Sequence, residues 1–190
     1  MTSEIQPEES KILLVDDEPN VLRALTRLLK NYQVVTFTSG EEALLAAQER
    51  AFDLVISDFR MPGLDGVEFL TFFKALQPDA IRMILTGYAD LKGIQHAIND
   101  AEVFRFINKP WNNIEILNAV TRGLEHKHML LENRTLAAEV RRQQALLQKK
   151  DAILRALEAK DPGITKVNWE PDGSIIIKDE EYDLDNPVFD

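Results

Sequence analysis

"KILLVDDEPN", Lys11 to Asn20, runs four apolar residues, Ile12 to Val15, straight into two adjacent aspartates, Asp16 and Asp17. A short apolar run of this kind suits a strand buried on both faces. Two carboxylates side by side at its end repel each other, which is costly unless something cationic is held there. The pattern recurs along the chain. "QVVTF" (33–37), "DLVIS" (53–57), "IRMIL" (81–85) and "VFRFIN" (103–108) are all of strand length.

The stretches between them have helical spacing. "NVLRALTRLLK" (20–30) places Val21, Leu22, Leu25, Leu28 and Leu29 on one side. "SGEEALLAAQER" (39–50) has a Ser/Gly start followed by acids, both helix-start features. "GVEFLTFFKAL" (66–76) repeats Val67, Leu70 and Phe73, with Phe69 less regular. "LKGIQHAIND" (91–100) is the weakest helix, short and with Gly93 inside. Strands alternating with helices in this way predict an α/β fold. It is a doubly wound sheet of five parallel strands, and the family resemblance set out below implies the flavodoxin-like order 2-1-3-4-5. Ligands of such sheets lie outside the carboxyl ends of the strands.

Bulk composition narrows the function. The 190 residues are 45% hydrophobic and carry a formal net charge of -10. That balance argues against general nucleic-acid binding, which wants a basic face. There is no cysteine, so disulfides and thiolate metal sites are excluded. "MTSEIQPEES" (1–10) reads as a disordered arm without the features of a secretion signal. No apolar run reaches the roughly 18–20 residues of a membrane span. A cytoplasmic location without membrane contact is the expectation.

Five polar residues stand at the strand ends. Asp16 and Asp17 follow the first strand, Asp58 the third, Thr86 the fourth, and Lys109 the fifth, just before Pro110. Taken singly, each has a plainer reading: an aspartate as a helix cap, Thr86 as part of a turn, Lys109 as surface. Together they make coherent chemistry. Clustered carboxylates suit Mg²⁺, a hard cation that prefers oxygen ligands. Such an ion relieves the Asp16–Asp17 repulsion and neutralises phosphoryl oxygens. Asp58, alone on the central strand, is then the candidate nucleophile, forming an acyl phosphate. Lys109 supplies a point charge to the phosphoryl oxygens and Thr86 a hydroxyl.

These residues, in "VDDEPN", "SDFRMPGLDG", "LTGYAD" and "FINKPW", resemble a two-component response regulator receiver domain, the CheY-like family, over residues 11–125. The resemblance implies that Asp58 accepts phosphate from a sensor histidine kinase or phosphotransfer protein. It implies Mg²⁺ on Asp17, Asp58 and the Arg60 backbone carbonyl, with Asp16 acting largely through water. It places Thr86 and Lys109 against the phosphoryl group and makes the Lys109–Pro110 peptide cis. Thr86 and Phe106 become the switch pair, and Arg60 and Tyr88 tune dephosphorylation. Phosphotransfer and autodephosphorylation are then self-catalysed, and the chain is not an enzyme acting on other substrates.

Beyond the receiver, helical pattern continues from about Asn112 to Ala159, interrupted once by Gly123. At about 1.5 Å per residue this is about 70 Å, too long for one small sheet. Over 126–160 a seam at 4,3 spacing carries Met129, Asn133, Leu136, Val140, Gln143, Leu147, Lys150, Leu154 and Leu157. It suits a coiled coil, and hence a parallel homodimer, with the polar positions setting register. In 161–190, "PDG" (171–173) between "ITKVNWE" and "SIIIKDE" predicts a β-hairpin, followed by an acidic tail. That segment is too short for an enzymatic output domain and lacks a helix-turn-helix, so an unidentified downstream protein is the expected listener. Two alternatives stay open. One is a DNA-binding or enzyme-coupled regulator. The other is a Mg²⁺-dependent aspartyl phosphohydrolase, which usually has a second acid where this chain has Arg60.

Overall fold

The structure, a computed structural model, describes residues 7–87, 101–160 and 162. The chain runs β1 (Lys11–Val15), α1 (Pro19–Leu28), β2 (Gln33–Phe37), α2 (Gly40–Glu49), β3 (Leu54–Asp58), α3 (Gly66–Leu76), β4 (Ile81–Gly87), β5 (Arg105–Lys109) and α4 (Asn113–Lys160). All strand pairs are parallel, in the order β2-β1-β3-β4-β5. This is the doubly wound sheet expected from the sequence. The helix expected over 91–100 and the hairpin and acidic tail of 161–190 lie outside the described residues.

Alternate residues of each buried strand feed opposite faces, as the two-residue strand period requires. Ile12, Leu14, Ile56, Met83 and Leu85 meet Leu22 and Leu25 of α1 and Ile116, Val120 and Leu124 of α4. Leu13, Val15, Val55 and Ile84 meet Ala43 and Ala47 of α2 and Val67, Phe69, Leu70 and Phe73 of α3. Phe69, off the regular spacing, is fully buried.

Local chemistry sets the helix starts. Ser39 caps α2, accepting from the Glu42 amide. Asp65 caps α3 through a reciprocal capping box with Glu68. The arm expected over 1–10 is ordered at its end. Pro7–Glu9 forms a 3₁₀ turn, and the Ser10 carbonyl accepts from the Gln33 amide. The Gln33 side-chain amide also donates to the Glu8 carbonyl at 2.9 Å, so residues 8–10 are tied to β2.

Gly123 does not interrupt α4. It is buried, and a Cβ there would meet Met83 Cε at 2.8 Å and Ile81 Cγ2 at 3.0 Å. The glycine lets the helix backbone lie close on β4, which offsets its poor helix propensity. The chain divides into two units, Met1–Arg134 and Thr135–Asp190. The first extends nine residues past the expected end at 125 (134 − 125 = 9). Two side chains one heptad apart explain this. Lys127 Nζ donates to Asp53 Oδ1 at 2.6 Å, and Arg134 pairs with Asp79. In the second unit, residues 135–160 are helical and, apart from Glu158, exposed, with Leu157 43% and Leu147 60% accessible.

Candidate functional site

The carboxyl edge of the sheet gathers the residues singled out by sequence. β1 ends at Val15, and the Asp16 amide continues the ladder by donating to the Phe37 carbonyl at 3.2 Å. This fixes the Asp16 backbone and turns its side chain inward, where it is fully buried. Asp58 is the last residue of β3 and is also buried. Lys109 is the last residue of β5 and precedes a cis bond to Pro110.

One ammonium joins two carboxylates. Lys109 Nζ lies 2.7 Å from Asp58 Oδ1 and 2.9 Å from Asp16 Oδ2. Asp16 Oδ1 meanwhile accepts from the Glu18 amide at 2.9 Å, so Asp16 also serves the turn into α1. Asp17 is exposed beside them. Asp16, Asp17 and Asp58 each offer an oxygen within 4.8 Å of the others. Burial pushes the Asp58 carboxyl up from its usual range, the Lys109 ammonium pulls it partly back, and the Asp16 charge adds to the rise. Burial lowers Lys109, but its bonds to Asp58 and Asp16 outweigh that and hold it above its usual value. Lys109 is therefore a firm cation at neutral pH.

The donor set fits a hard divalent cation. Three carboxylates against one ammonium leave a formal charge of −3 + 1 = −2, and every anionic donor is oxygen. An ordinary Asp cluster on a surface would not bury two of its three members.

Thr86 is fully buried, with its hydroxyl donating to the Gly87 carbonyl at 3.3 Å. Phe106 is half-buried and packs with the cluster on the α2–α3 face. The register Ile84↔Phe106 and Thr86↔Asn108 puts Thr86 and Phe106 on one face of the sheet, one pleat apart. Arg60 is exposed on the loop after β3. Tyr88 lies outside the described residues.

The loop from Phe59 to Asp65 is closed tightly. The Gly66 amide donates to the Phe59 carbonyl at 2.9 Å, and a Cβ on Gly66 would fall 2.0 Å from the Asp58 carbonyl oxygen. Gly63, at φ 79°, supplies the left-handed turn within it.

A family model described as the response regulator receiver domain matches residues 12–121. The chain belongs to this family. The receiver's relatives include the hydrogenase transcriptional regulatory protein HoxA of Cupriavidus necator. It is 30% identical over 146 residues, 76% of this chain and 30% of that protein. The C4-dicarboxylate transport transcriptional regulatory protein DctD of Rhizobium meliloti is 32% identical, covering 66% of this chain and 27% of that protein. The chain thus spans less than a third of the length of these relatives. Among solved structures, the signal receiver domain of an HD domain-containing protein from Pseudomonas fluorescens aligns with TM-score 0.61 and 37% identity, over 64% of this chain and 98% of that one. A response regulator receiver domain protein from Clostridium thermocellum aligns with TM-score 0.60 and 31% identity, over 64% and 98%.

Sequence reasoning missed two charged features of the receiver. Asp53 accepts from the Lys11 amide at 2.8 Å as well as from Lys127. Arg82, inside the run "IRMIL", is buried on β4. Its position in an apolar strand was the available signal. A guanidinium in such a strand needs several acceptors, and only the tertiary structure supplies them.

Proposed function

We propose that this receiver is a phosphorylation-dependent switch of a two-component system, with Asp58 as phosphoacceptor. The observation that carries this is the Lys109 ammonium seated between two buried carboxylates at the carboxyl edge of the sheet. An Asp58 oxygen attacks the phosphorus of a phosphohistidine on a sensor kinase or phosphotransfer protein. The P–N bond breaks, the imidazole leaves, and an acyl phosphate forms on Asp58. Asp16, Asp17, Asp58 and the Arg60 carbonyl are the residues that would hold Mg²⁺. When bound, Mg²⁺ supplies positive charge that offsets the phosphoryl oxygens. Lys109 exchanges its bond to Asp58 Oδ1 for one to a phosphoryl oxygen, and keeps Asp16. Thr86 turns its hydroxyl from the Gly87 carbonyl toward the same group, and Phe106 follows on the same face. Arg60 and Tyr88 set the lifetime of the phosphate. The chain catalyses its own loading and dephosphorylation rather than acting on other substrates.

The switch passes to a downstream protein by contact. We place a homodimer on the exposed seam of α4, through Met129, Leu136, Val140, Leu147, Leu154 and Leu157, with Asn133 setting register. No described helix is long and apolar enough to cross a membrane. The relatives are named as transcriptional regulatory proteins, yet most of their length has no counterpart in this chain. The net charge of -10 gives no basic face for nucleic acid, so contact with a protein is the output assigned to these residues.

Acetyl phosphate with Mg²⁺ should add one phosphate to the wild type by intact mass, and none to Asp58→Asn. Equal uptake by both would overturn the phosphoacceptor assignment. For the dimer, Leu147→Asp with Leu154→Asp should sediment as a monomer and the wild type as a dimer. A monomeric wild type would refute it.

A further inference from the structure

We propose that Arg82 is a positioning residue that fixes residues 101–104, at the entry to β5, against β4 and so couples Thr86 to Phe106. The proposal rests on the switch reading above.

Arg82 sits on β4, four residues before Thr86, and is only 5% exposed. Its fork reaches four acceptors. Nε donates to the Ala101 carbonyl at 2.7 Å, and Nη1 to the Ala80 and Pro78 carbonyls at 2.7 and 3.1 Å. Nη2 reaches Glu102 Oε2 at 3.4 Å. The Arg82 main chain joins in, its carbonyl accepting from the Phe104 amide at 2.8 Å. One residue therefore holds positions 101, 102 and 104 from both its backbone and its side chain.

The held residues are themselves constrained. Ala101 is fully buried, and Glu102 adopts φ 47°, an unusual conformation for a non-glycine residue. Glu102 is also gripped from α3 by Lys74 Nζ at 2.7 Å. Phe106 follows two residues after Phe104 and pairs with Ile84. The entry to the strand that carries Phe106 is thus pinned to the strand that carries Thr86.

The chemistry explains why this residue is arginine. Burial disfavours its charge, which the Glu102 and Asp79 carboxylates partly restore. A lysine lacks the planar fork that spans carbonyls on both sides of the strand. A buried cation with this many main-chain partners serves geometry, because an aliphatic residue would fill the strand without any desolvation cost. With 101–104 fixed, a shift at Thr86 is delivered to Phe106. With them loose, β5 no longer follows β4.

The test compares full-length wild type, Arg82→Met and Arg82→Lys by hydrogen exchange, with and without beryllofluoride and Mg²⁺. Phosphate loading is read separately by intact mass. In Arg82→Met the Phe104 amide should exchange at least about tenfold faster, as loss of bonds to a charged group implies. Loading of Asp58 should stay at the wild-type level. The beryllofluoride response at residues 104–106, present in the wild type, should vanish, and Arg82→Lys should not restore it. A wild-type response in Arg82→Met overturns the proposal. If that variant does not fold, Arg82→Lys decides, since it keeps the charge and loses the fork. A wild-type response in Arg82→Lys then overturns it. Failure of the wild type to load Asp58 refutes the switch reading instead.

Discussion

Gly66→Ala should strike Asp58 through its backbone. The new Cβ would lie 2.0 Å from the Asp58 carbonyl oxygen, 2.9 Å from its carbonyl carbon and 3.0 Å from Phe59 Cα. Real Cβ atoms essentially never approach closer than 3.0 Å, so the shortfall is 3.0 − 2.0 = 1.0 Å. All three obstacles are main chain, so no rotamer change relieves them. Either α3 withdraws, breaking the 2.9 Å bond from the Gly66 amide to Phe59, or the Asp58 peptide moves. Overpacking of this kind costs about 1–3 kcal/mol. At about 3–6 °C per kcal/mol for a unit ending at Arg134, between the values for smaller and larger domains, the midpoint should fall by roughly 3–18 °C. A displacement of about 1 Å at a reacting group slows chemistry by up to about 100-fold. The assay is a time course of acetyl phosphate loading by intact mass, beside thermal unfolding by circular dichroism. Gly40→Ala is the control, because the nearest atoms to its Cβ would be in the Leu64 and Phe69 side chains at 3.3–3.5 Å. The reasoning fails if Gly66→Ala melts within about 2 °C of wild type and loads within about twofold of it.

Three further outcomes follow from the same geometry. Asp58 has a folded-state pKa above its unfolded value, so ionising it opposes folding. That penalty is absent below the unfolded value and complete above the folded one. Metal-free Asp58→Asn should therefore melt higher than wild type at pH 7 and lose that advantage as pH falls through the carboxylate range, read by melts in buffers containing a chelator. Lys109→Met leaves Asp16 buried with the Glu18 amide as its one partner among the described residues, and should cost about 3–5 kcal/mol in chelator. Added Mg²⁺ should recover more of its midpoint than it adds to wild type; equal gains would refute the charge balance drawn for the pocket. Asp65→Ala removes the acceptor of the Val67 and Glu68 amides and should cost about 1 kcal/mol by urea unfolding, while a neutral result would show the cap to be idle.

Much of this receiver was legible in residue order. Apolar runs of strand length, separated by helical periods, lead to a parallel sheet because only crossover helices can join parallel strands and cover both faces. Asp16, Asp17, Asp58, Thr86 and Lys109 then fall at one edge by topology alone, since all strands point the same way. The Ser39 start of α2 was readable because capping spans only three residues.

Other features needed the folded chain, because they join residues distant in sequence. That Lys109 reaches both Asp16 and Asp58 depends on how far β5 is staggered from β1 across β3 and β4. Gly123 looked like a break in α4, but its purpose lies with Met83 and Ile81, about 40 residues earlier. Lys127 and Arg134 keep the receiver's hold on α4 beyond the expected boundary, through Asp53 and Asp79. Arg82 reads as an oddity in an apolar strand until Pro78, Ala80 and Ala101 turn their carbonyls toward it. Sequence determined which residues line the edge of the sheet, because periodicity and capping are local. Tertiary structure alone decided which charges meet, because an ion pair or a buried guanidinium is a matter of ångströms between strands that the order of residues does not specify.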